Sequence, residues 1–400
     1  MNQRQFRRRN DPRREREYIK IREGISNLFY DLDGGGKEFG AWIDENSRSN
    51  GFDSGDLIEC PAYVIESILR DIMDVPTDNI NYASFDSAGN TTDGTLKDWS
   101  FTGGIYEVES SKNILENILM QCKSQLYRDA AGKFKLIVYN SSASVDYTDY
   151  DFNIDNHITN IQISETSYND IVSHVRINYA LDRGSGEFTK CAYIQAKKEF
   201  SGSYLDGDVS ATLDDWDVTT GANFSATNFI LTEREVNLVD SIASNTLTLD
   251  SLGSARLPKY SSVAQAHLDG TPIYIISSSS DDGNGSTADS TRETAAKTAV
   301  WKYNATAMIE IDADWIIDKD TAVLLRNYYF DYYSEPHYIV DFDCTLMASD
   351  VEVGNIIEFD STIMDAYMKL GGASWSGKKF RVEGISRNGA MSYHITAVEI

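Results

Sequence analysis

Short segments in which apolar and polar residues alternate recur along this 400-residue chain, and they are the feature that most restricts its fold. In residues 337–344, Tyr338, Val340, Phe342 and Cys344 alternate with polar residues. A period of two places alternate side chains on one face of a β-strand. The same reasoning predicts strands at 134–139, 158–164, 173–180, 228–232, 246–249, 272–276, 355–359, 379–386 and 391–398. The sequence therefore predicts a mainly β fold with a few helices (α+β).

Three helices are predicted among these strands. The first starts near Pro61, a residue favoured in a first turn, and carries apolar residues at helical spacing up to Ile72 before it ends near residue 74. The second starts at Ser110 or Ser111, since either is a good N-cap. The third covers about residues 320–333. Residues 299–311 are expected to be extended, and the polar tract 277–290 is expected to be a surface loop.

Charge is divided unevenly between the N-terminus and the rest of the chain. Residues 1–23 hold nine basic and four acidic side chains, while the whole chain carries −26, so residues 24–400 carry −31. A field of that sign repels polyanions and keeps a protein soluble. The basic arm is the part that seeks an acidic partner, and the acidic body of a neighbouring subunit is a suitable one. This division indicates a subunit of an assembly.

The chain is long enough for two to four structural units. Residues 201–295 differ in kind, because they are rich in Ser, Thr, Asp and Gly and hold only four Lys or Arg. We predict a basic arm at 1–23, a first host segment at 24–200, an inserted β-rich domain at 201–295 and a second host segment at 296–400.

The cysteines and the hydropathy pattern limit where the protein is made. The four cysteines lie far apart, which argues against a zinc knuckle or a redox pair and indicates free thiols from a reducing cytoplasm. No apolar run approaches the ~20 residues of a membrane span, and none follows the basic N-terminus as in a signal peptide. We therefore expect no stable membrane insertion and no secretion signal.

None of the short motifs in the sequence has the full pattern of a catalytic or cofactor-binding site. Residues 372–379 match the spacing of a phosphate-binding loop, but Lys379 replaces the required Ser or Thr, and a strand is predicted to follow. The oxygen-rich loops at 31–34 and 281–286 lack the glutamate of a calcium-binding loop. The histidines are scattered without ligand spacing, and no GxSxG motif occurs. Carboxylate pairs such as Glu107 with Glu109, or the run at 214–217, are expected on a solvated acidic face. We expect no enzymatic activity and no cofactor.

Two groups of residues are candidates for partner contacts. The run at 328–333 contains Tyr328, Tyr329 and Tyr332, which at helical spacing form half core and half subunit interface, although they could stack on sugars or bases. The arm could bind nucleic acid, but guanidinium groups pair bidentately with carboxylates, which favours a staple onto an acidic neighbour. Its candidate residues are Arg4, Arg7, Arg8, Arg9, Arg13 and Arg14.

Three stretches carry a resemblance to a known family. The first, 61–71, reads PAYVIESILRD. The second runs from the helical segment at 114–119 to RDAAGKFKL at 128–136. The third leads from LLRNYY at 324–329 through Pro336 to DVEVGNII at 350–357, and FRVEGI at 380–385 follows. In this order they resemble the central hub proteins of bacteriophage tails, although Asn355 stands where that family usually has Asp. The resemblance covers about residues 56–192 and 320–400, or 218 of 400.

The resemblance implies tube-like β-barrel hub domains, arranged as a homo-oligomeric ring, a trimer, at the tail tip of the virion. Such a ring joins the tail tube or distal tail protein to tip or fibre proteins. It passes DNA without specific binding, and a tape-measure protein as well. The resemblance also implies synthesis in the host cytoplasm and no enzymatic activity. An acidic lumen agrees, because it repels DNA.

Alternative functions remain open for residues 201–295. This region could carry a tail-associated glycan hydrolase, whose carboxylates would lie within it, or a receptor-binding module that contacts the host. An unrelated extracellular adhesin is disfavoured, because no signal peptide is found.

Overall fold

The protein is described here by a computed structural model that covers residues 51, 57–102, 110–139, 152–155, 157–252, 255–283, 289–345, 350–387 and 392–400. Of these described residues, strands take 40% and helices 25%, and one sheet is curled into a half-barrel. The predicted mainly β fold with a few helices is therefore confirmed.

The first described segment is helical and is built largely from buried residues. Helix α1 (Pro61–Ser67) has proline in its first turn as predicted and is buried on every side, and one π-helical turn (Ile68–Ile72) extends it. Helices α2 (Tyr82–Gly89) and α3 (Ser111–Gln121) follow. Ser110 is the N-cap of α3, because its side chain accepts a hydrogen bond from the Asn113 amide, which confirms one of the two predicted caps. A hairpin of β1 (Ser124–Arg128) and β2 (Phe134–Val138) comes next.

The larger sheet has eight strands, in the order β13-β4-β5-β12-β7-β8-β9-β6. Its pairs are antiparallel except for β13, which runs parallel to β4. The strands are β4 (Val172–Asp182), β5 (Glu187–Tyr204), β6 (Asp215–Asp217), β7 (Phe229–Thr232), β8 (Glu235–Ala243), β9 (Thr246–Leu249), β12 (Pro272–Asp281) and β13 (Ala307–Asp312). Short strands β10 (Ser251–Leu252) and β11 (Ala255–Arg256) pair with each other. Helices α4 (Ser290–Tyr303) and α5 (Lys319–Tyr333) contact this sheet.

The smaller sheet has five strands, in the order β15-β16-β17-β14-β3, all antiparallel. They are β3 (Ile158–Glu165), β14 (Tyr338–Thr345), β15 (Ile356–Glu358), β16 (Lys379–Arg387) and β17 (Ser392–Glu399), with the short helix α6 (Ser361–Tyr367) between β15 and β16. Val340, Phe342 and Cys344 of β14 are buried, as their alternation predicts. They belong to a hydrophobic core separate from the one that α1, α3 and α5 form with β4 and β5.

Two local predictions are wrong. Residues 299–303 are not extended, because helix α4 runs to Tyr303. Its N-cap is Asp289, whose side chain accepts a hydrogen bond from the Arg292 amide, and alanines at 295, 296 and 299 favour the helix. The tract 277–290 is not simply a loop either, because β12 continues to Asp281 along its partner β5.

The predicted inserted domain, 201–295, contains a hydrophobic core of its own around Trp216, Val239 and Leu247. Two elements cross its predicted limits, however, because β5 begins at Glu187 and α4 ends at Tyr303. The division into domains stays a prediction.

Candidate functional site: an aromatic joint

Helix α5 presents a row of stacked tyrosines. The rings of Tyr328 and Tyr332, one turn apart, lie 6.2 Å apart at 18°, and those of Tyr329 and Tyr333 lie 6.0 Å apart at 11°. The Tyr329 hydroxyl donates a hydrogen bond to the Met120 carbonyl in α3. Helical spacing of four residues brings these rings together, so the structure unites the three tyrosines singled out from the sequence.

Arg381 of β16 fastens the smaller sheet to this row. Its guanidinium lies 3.9 Å from the centre of the Tyr139 ring and 5.9 Å from that of Tyr332, and Tyr139 in turn stacks on Tyr328. We call Tyr139, Tyr328, Tyr332, His337 and Arg381 the aromatic joint; the His337 ring stacks on Tyr332 at 4.5 Å. A cation over an aromatic face is attracted by the ring quadrupole, so Arg381 holds α5 and the smaller sheet together.

Arg381 and the three tyrosines of the joint keep their charge states across physiological pH. Burial opposes the charge of Arg381, but Glu383, 2.5 Å from Nη2, outweighs that effect and raises the pKa of Arg381. Burial raises the pKa of Tyr139 to about 12, and it also raises the pKa of Tyr328 and Tyr332. The phenols therefore stay neutral and the guanidinium stays charged.

A second set of contacts joins the same regions beside the aromatic joint. Glu352, before β15, accepts hydrogen bonds from Lys135 Nζ at 2.9 Å and from the Ala130 amide at 3.1 Å. Gly354 has φ +88°, and a Cβ there would lie 2.0 Å from Cδ1 of Ile137, so only glycine allows this approach. Asn355 accepts a hydrogen bond from the Glu352 amide with its side-chain oxygen. The carboxylate of an Asp at this position would accept the same bond.

Several residues singled out from the sequence fall outside the part of the chain that the structure describes. Arg4, Arg7, Arg8, Arg9, Arg13 and Arg14 are outside the described residues, as are Glu107, Glu109 and the loop at 31–34. The partner role of the arm arginines and of the three tyrosines stays a prediction. Tyr328, Tyr329 and Tyr332 are half-buried by contacts within their own chain, and Tyr333 beside them is 37% exposed.

A buried ionic cluster that the sequence does not predict lies within 201–295. Glu235 and Arg256 form a bidentate ion pair with both side chains fully buried. Arg256 donates its remaining N–H groups to the Ser210, Leu213 and Gln265 carbonyls, so all five N–H donors of the guanidinium form hydrogen bonds. No local pattern in the sequence marks this cluster, because Arg256 and His267 lie 21 and 32 residues from Glu235.

His267 completes this cluster between two carboxylates. Its Nε2 lies 3.0 Å from Glu235 and its Nδ1 lies 3.0 Å from the exposed Glu233. Burial opposes ionisation of Glu235, but hydrogen bonds from His267 and Arg256 outweigh it and lower the pKa of Glu235 to about 2. Glu235 is closed to solvent, so the ion pair and the His267 contact hold β8, β11 and the loop that carries His267 together.

Other chemical candidates are spread over the described surface. Asp215 and Asp217 of β6 accept hydrogen bonds from Thr248 and Thr246 on an exposed strand face. A cleft of about 400 Å³ lies between the N-termini of α4 and α5, lined by residues that include Asp282, Lys319 and Arg326. Its charges are paired with one another, as in Lys319 with Asp282 at 3.4 Å.

Within the described residues, no group of three or more His, Cys, Asp or Glu side chains is arranged to hold a metal ion. The turn at 371–378 leads into strand β16, as predicted for the motif that resembles a phosphate-binding loop. None of the described helices is both long and apolar enough to cross a membrane.

Comparisons with known proteins identify no family. No protein-family model matches the sequence, and no curated protein matches it. One matching solved structure is a chain of the "virion of native gene transfer agent (GTA) particle", with 7% sequence identity and a TM-score of 0.32. The match covers 76% of this chain and 43% of that one, so this chain spans less than half of its length. At that TM-score the likeness carries no inference about fold or function.

Proposed function

We propose that this chain is a structural virion protein that forms the hub at the distal end of a bacteriophage tail. The observation that carries the proposal is the convergence of the segments that resemble hub proteins. The segment at 114–136 forms α3, β1, the turn and β2, and Lys135 in β2 reaches Glu352 in the third segment. The third segment supplies α5 and β15, and Arg381 of the closing segment stacks beside Tyr332.

This convergence supports the proposal because the resembling residues act together. A chance match of short motifs gives no reason for their side chains to meet, since the motifs lie far apart in the sequence. Here they build the aromatic joint and the Glu352 contacts beside it, which join α5 and the β1–β2 hairpin to the segments of the smaller sheet. A rigid joint of this kind suits a subunit that must keep its shape while it holds neighbours on several sides.

The charge distribution supports the passage of DNA. Duplex DNA carries about one charge per 1.7 Å of its axis, and a protein that carries −31 over residues 24–400 repels it. In the proposed arrangement, identical copies close into a ring, because closed symmetry is the common solution for homo-oligomers. The number three is what the resemblance to hub proteins implies. The ring connects the tail tube to tip proteins, and it needs no cofactor and no catalytic activity.

The experiment is to locate and count this chain in purified virions by cryo-electron microscopy and quantitative mass spectrometry. We expect three copies in a ring at the distal end of the tail, with an acidic wall around the lumen. Absence from the particle, another position or a basic wall would overturn the proposal.

A biochemical test addresses the glycan hydrolase alternative. Purified protein should leave host envelope polysaccharide intact. Degradation that is lost in the Asp215→Asn variant, and kept in a matched Asp320→Asn variant on α5, would replace the hub proposal with an enzymatic one.

A further inference from the structure

One exposed face, formed by the C-terminal end of β5 and by strands of residues 201–295, carries both aromatic rings and carboxylates without ion-pair partners among the described residues. Leu205 and Val218 form an antiparallel bridge and are buried, so the residues on either side of them point outward. Tyr204, Asp206 and Asp217 therefore share one outer face, and Asp215 lies on it two residues from Asp217. We call Phe200, Tyr204, Tyr274, Asp206, Asp215 and Asp217 the acidic–aromatic face.

The aromatic half of this face is open to solvent. Phe200 is 47% exposed and Tyr204 is 42% exposed, and their rings lie 5.2 Å apart. The ring of Tyr274 lies 5.7 Å from that of Phe200. Lys198 lies over the Tyr274 ring at 4.5 Å, so this face already holds one cation by a cation–aromatic contact.

The acidic half of the face holds two like charges opposite each other. The Asp206 amide donates a hydrogen bond to the Asp217 carbonyl, which sets these two exposed residues side by side across the bridge. Like charges directly opposite on paired strands are destabilising. Among the described residues, no lysine or arginine forms an ion pair with Asp206, Asp215 or Asp217. These three carboxylates are therefore available to pair with a cation from outside the described residues.

We propose that the acidic–aromatic face is the docking site of the arginine-rich arm, residues 1–23. The arm carries seven arginines within its first sixteen residues and a net charge of +5. A guanidinium both stacks on aromatic rings and pairs bidentately with carboxylates, so arginine fits each half of the face. The joint around Arg381 shows the same chemistry within the chain. The inference goes beyond the hub proposal, because the docking does not depend on a tail.

The test is photo-crosslinking in the full chain. Benzoylphenylalanine placed at Phe200 or at Tyr204 should, after irradiation, yield adducts to peptides from residues 1–23 when digests are read by mass spectrometry. The same residue at Tyr367, which is 69% exposed on α6, is the matched control and should yield no such adducts. Adducts from Phe200 and Tyr204 to other segments, or none at all, would overturn the inference.

A charge variant supplies an independent readout. Asp206→Asn combined with Asp217→Asn relieves the like-charge contact, so folding is not at risk, and it should lower the adduct yield roughly tenfold. Raising the salt from low to high concentration should lower the yield in the parent protein and have less effect in the variant. An Asp312→Asn and Asp320→Asn pair, exposed elsewhere, should leave the yield unchanged. An equal yield in both double variants would refute the role of the acidic half.

Discussion

Removal of Arg256 is the perturbation for which the structure gives the largest calculable effect. Arg256→Met keeps a side chain of similar length but leaves Glu235 fully buried without its bidentate partner, and it leaves three backbone carbonyls without their donors. Breaking a buried ion pair from one side costs about 3–5 kcal/mol, because a buried charge stays uncompensated. We expect the free energy of opening of β8 and β9 to fall by that amount.

Hydrogen exchange of the β8 amides at neutral pH measures this change locally, which matters in a chain with several cores. The double variant Arg256→Met with Glu235→Gln removes both charges and should recover about half of the loss or more. Lys112→Met is the matched control, since its pair with Glu116 is exposed on both sides and contributes about 0.5 kcal/mol at most. A loss below about 1 kcal/mol in the single variant, or no recovery in the double, would refute the reasoning.

Acid gives a second measurement of the same cluster. The pKa of Glu235 is about 2 in the folded chain against 4.5 ordinarily, so the unfolded state binds the proton more readily as the pH falls. The corresponding stabilisation is about 3 kcal/mol, since each pKa unit is worth about 1.4 kcal/mol. It is fully present above pH 4.5 and is lost as the pH falls towards 2. Glu235→Gln should flatten this dependence in hydrogen exchange measured across that range.

Three further predictions concern the joint and the helices. Arg381→Ala should lower the free energy of unfolding in urea by about 1–2 kcal/mol through lost stacking, with Arg381→Lys intermediate. An unchanged urea midpoint would contradict a stabilising role of Arg381 in the aromatic joint. Gly354→Ala should cost about 2 kcal/mol or more because of its positive φ and the steric clash, whereas Gly372→Ala, with positive φ but open space, should cost about 1 kcal/mol by thermal unfolding. Ser110→Ala should lower stability by about 1 kcal/mol through the lost cap while Ser111→Ala changes little, and equal effects would argue against the cap.

The elements predicted well from the sequence are those whose signals are local. Strand β14 was identified because its alternating residues face one core, and the start of α3 was identified because Ser110 lies just before an apolar helical stripe. The predicted first residues at 158, 246, 272 and 379 are the first residues of β3, β9, β12 and β16, for the same reason. Periodicity and capping act within a few residues, so they can be read without knowledge of the tertiary fold.

The elements that were missed depend on partners distant in sequence. The polar end of β12 is a strand because β5 pairs with it and because Ser278 and Ser280 donate hydrogen bonds to Glu293 of α4. Neither partner is evident from the serines themselves, since the preference for a strand depends on its context. The stacking of Arg381 on Tyr139 likewise joins residues far apart in the chain, and no spacing rule connects them.

The positions of buried and half-buried cations connect the uneven division of charge along the chain with the proposed hub. Arg256, Arg381 and Lys297 lie over aromatic rings or in ion pairs inside the molecule, so they leave much of the carboxylate surplus on the surface. An arginine-rich arm free in a channel would bind passing DNA through its phosphates and slow it. An arm docked on the acidic–aromatic face would instead be neutralised there, and the channel would stay acidic. In the proposed hub, docking of the arm and free passage of DNA would therefore both follow from one charge distribution.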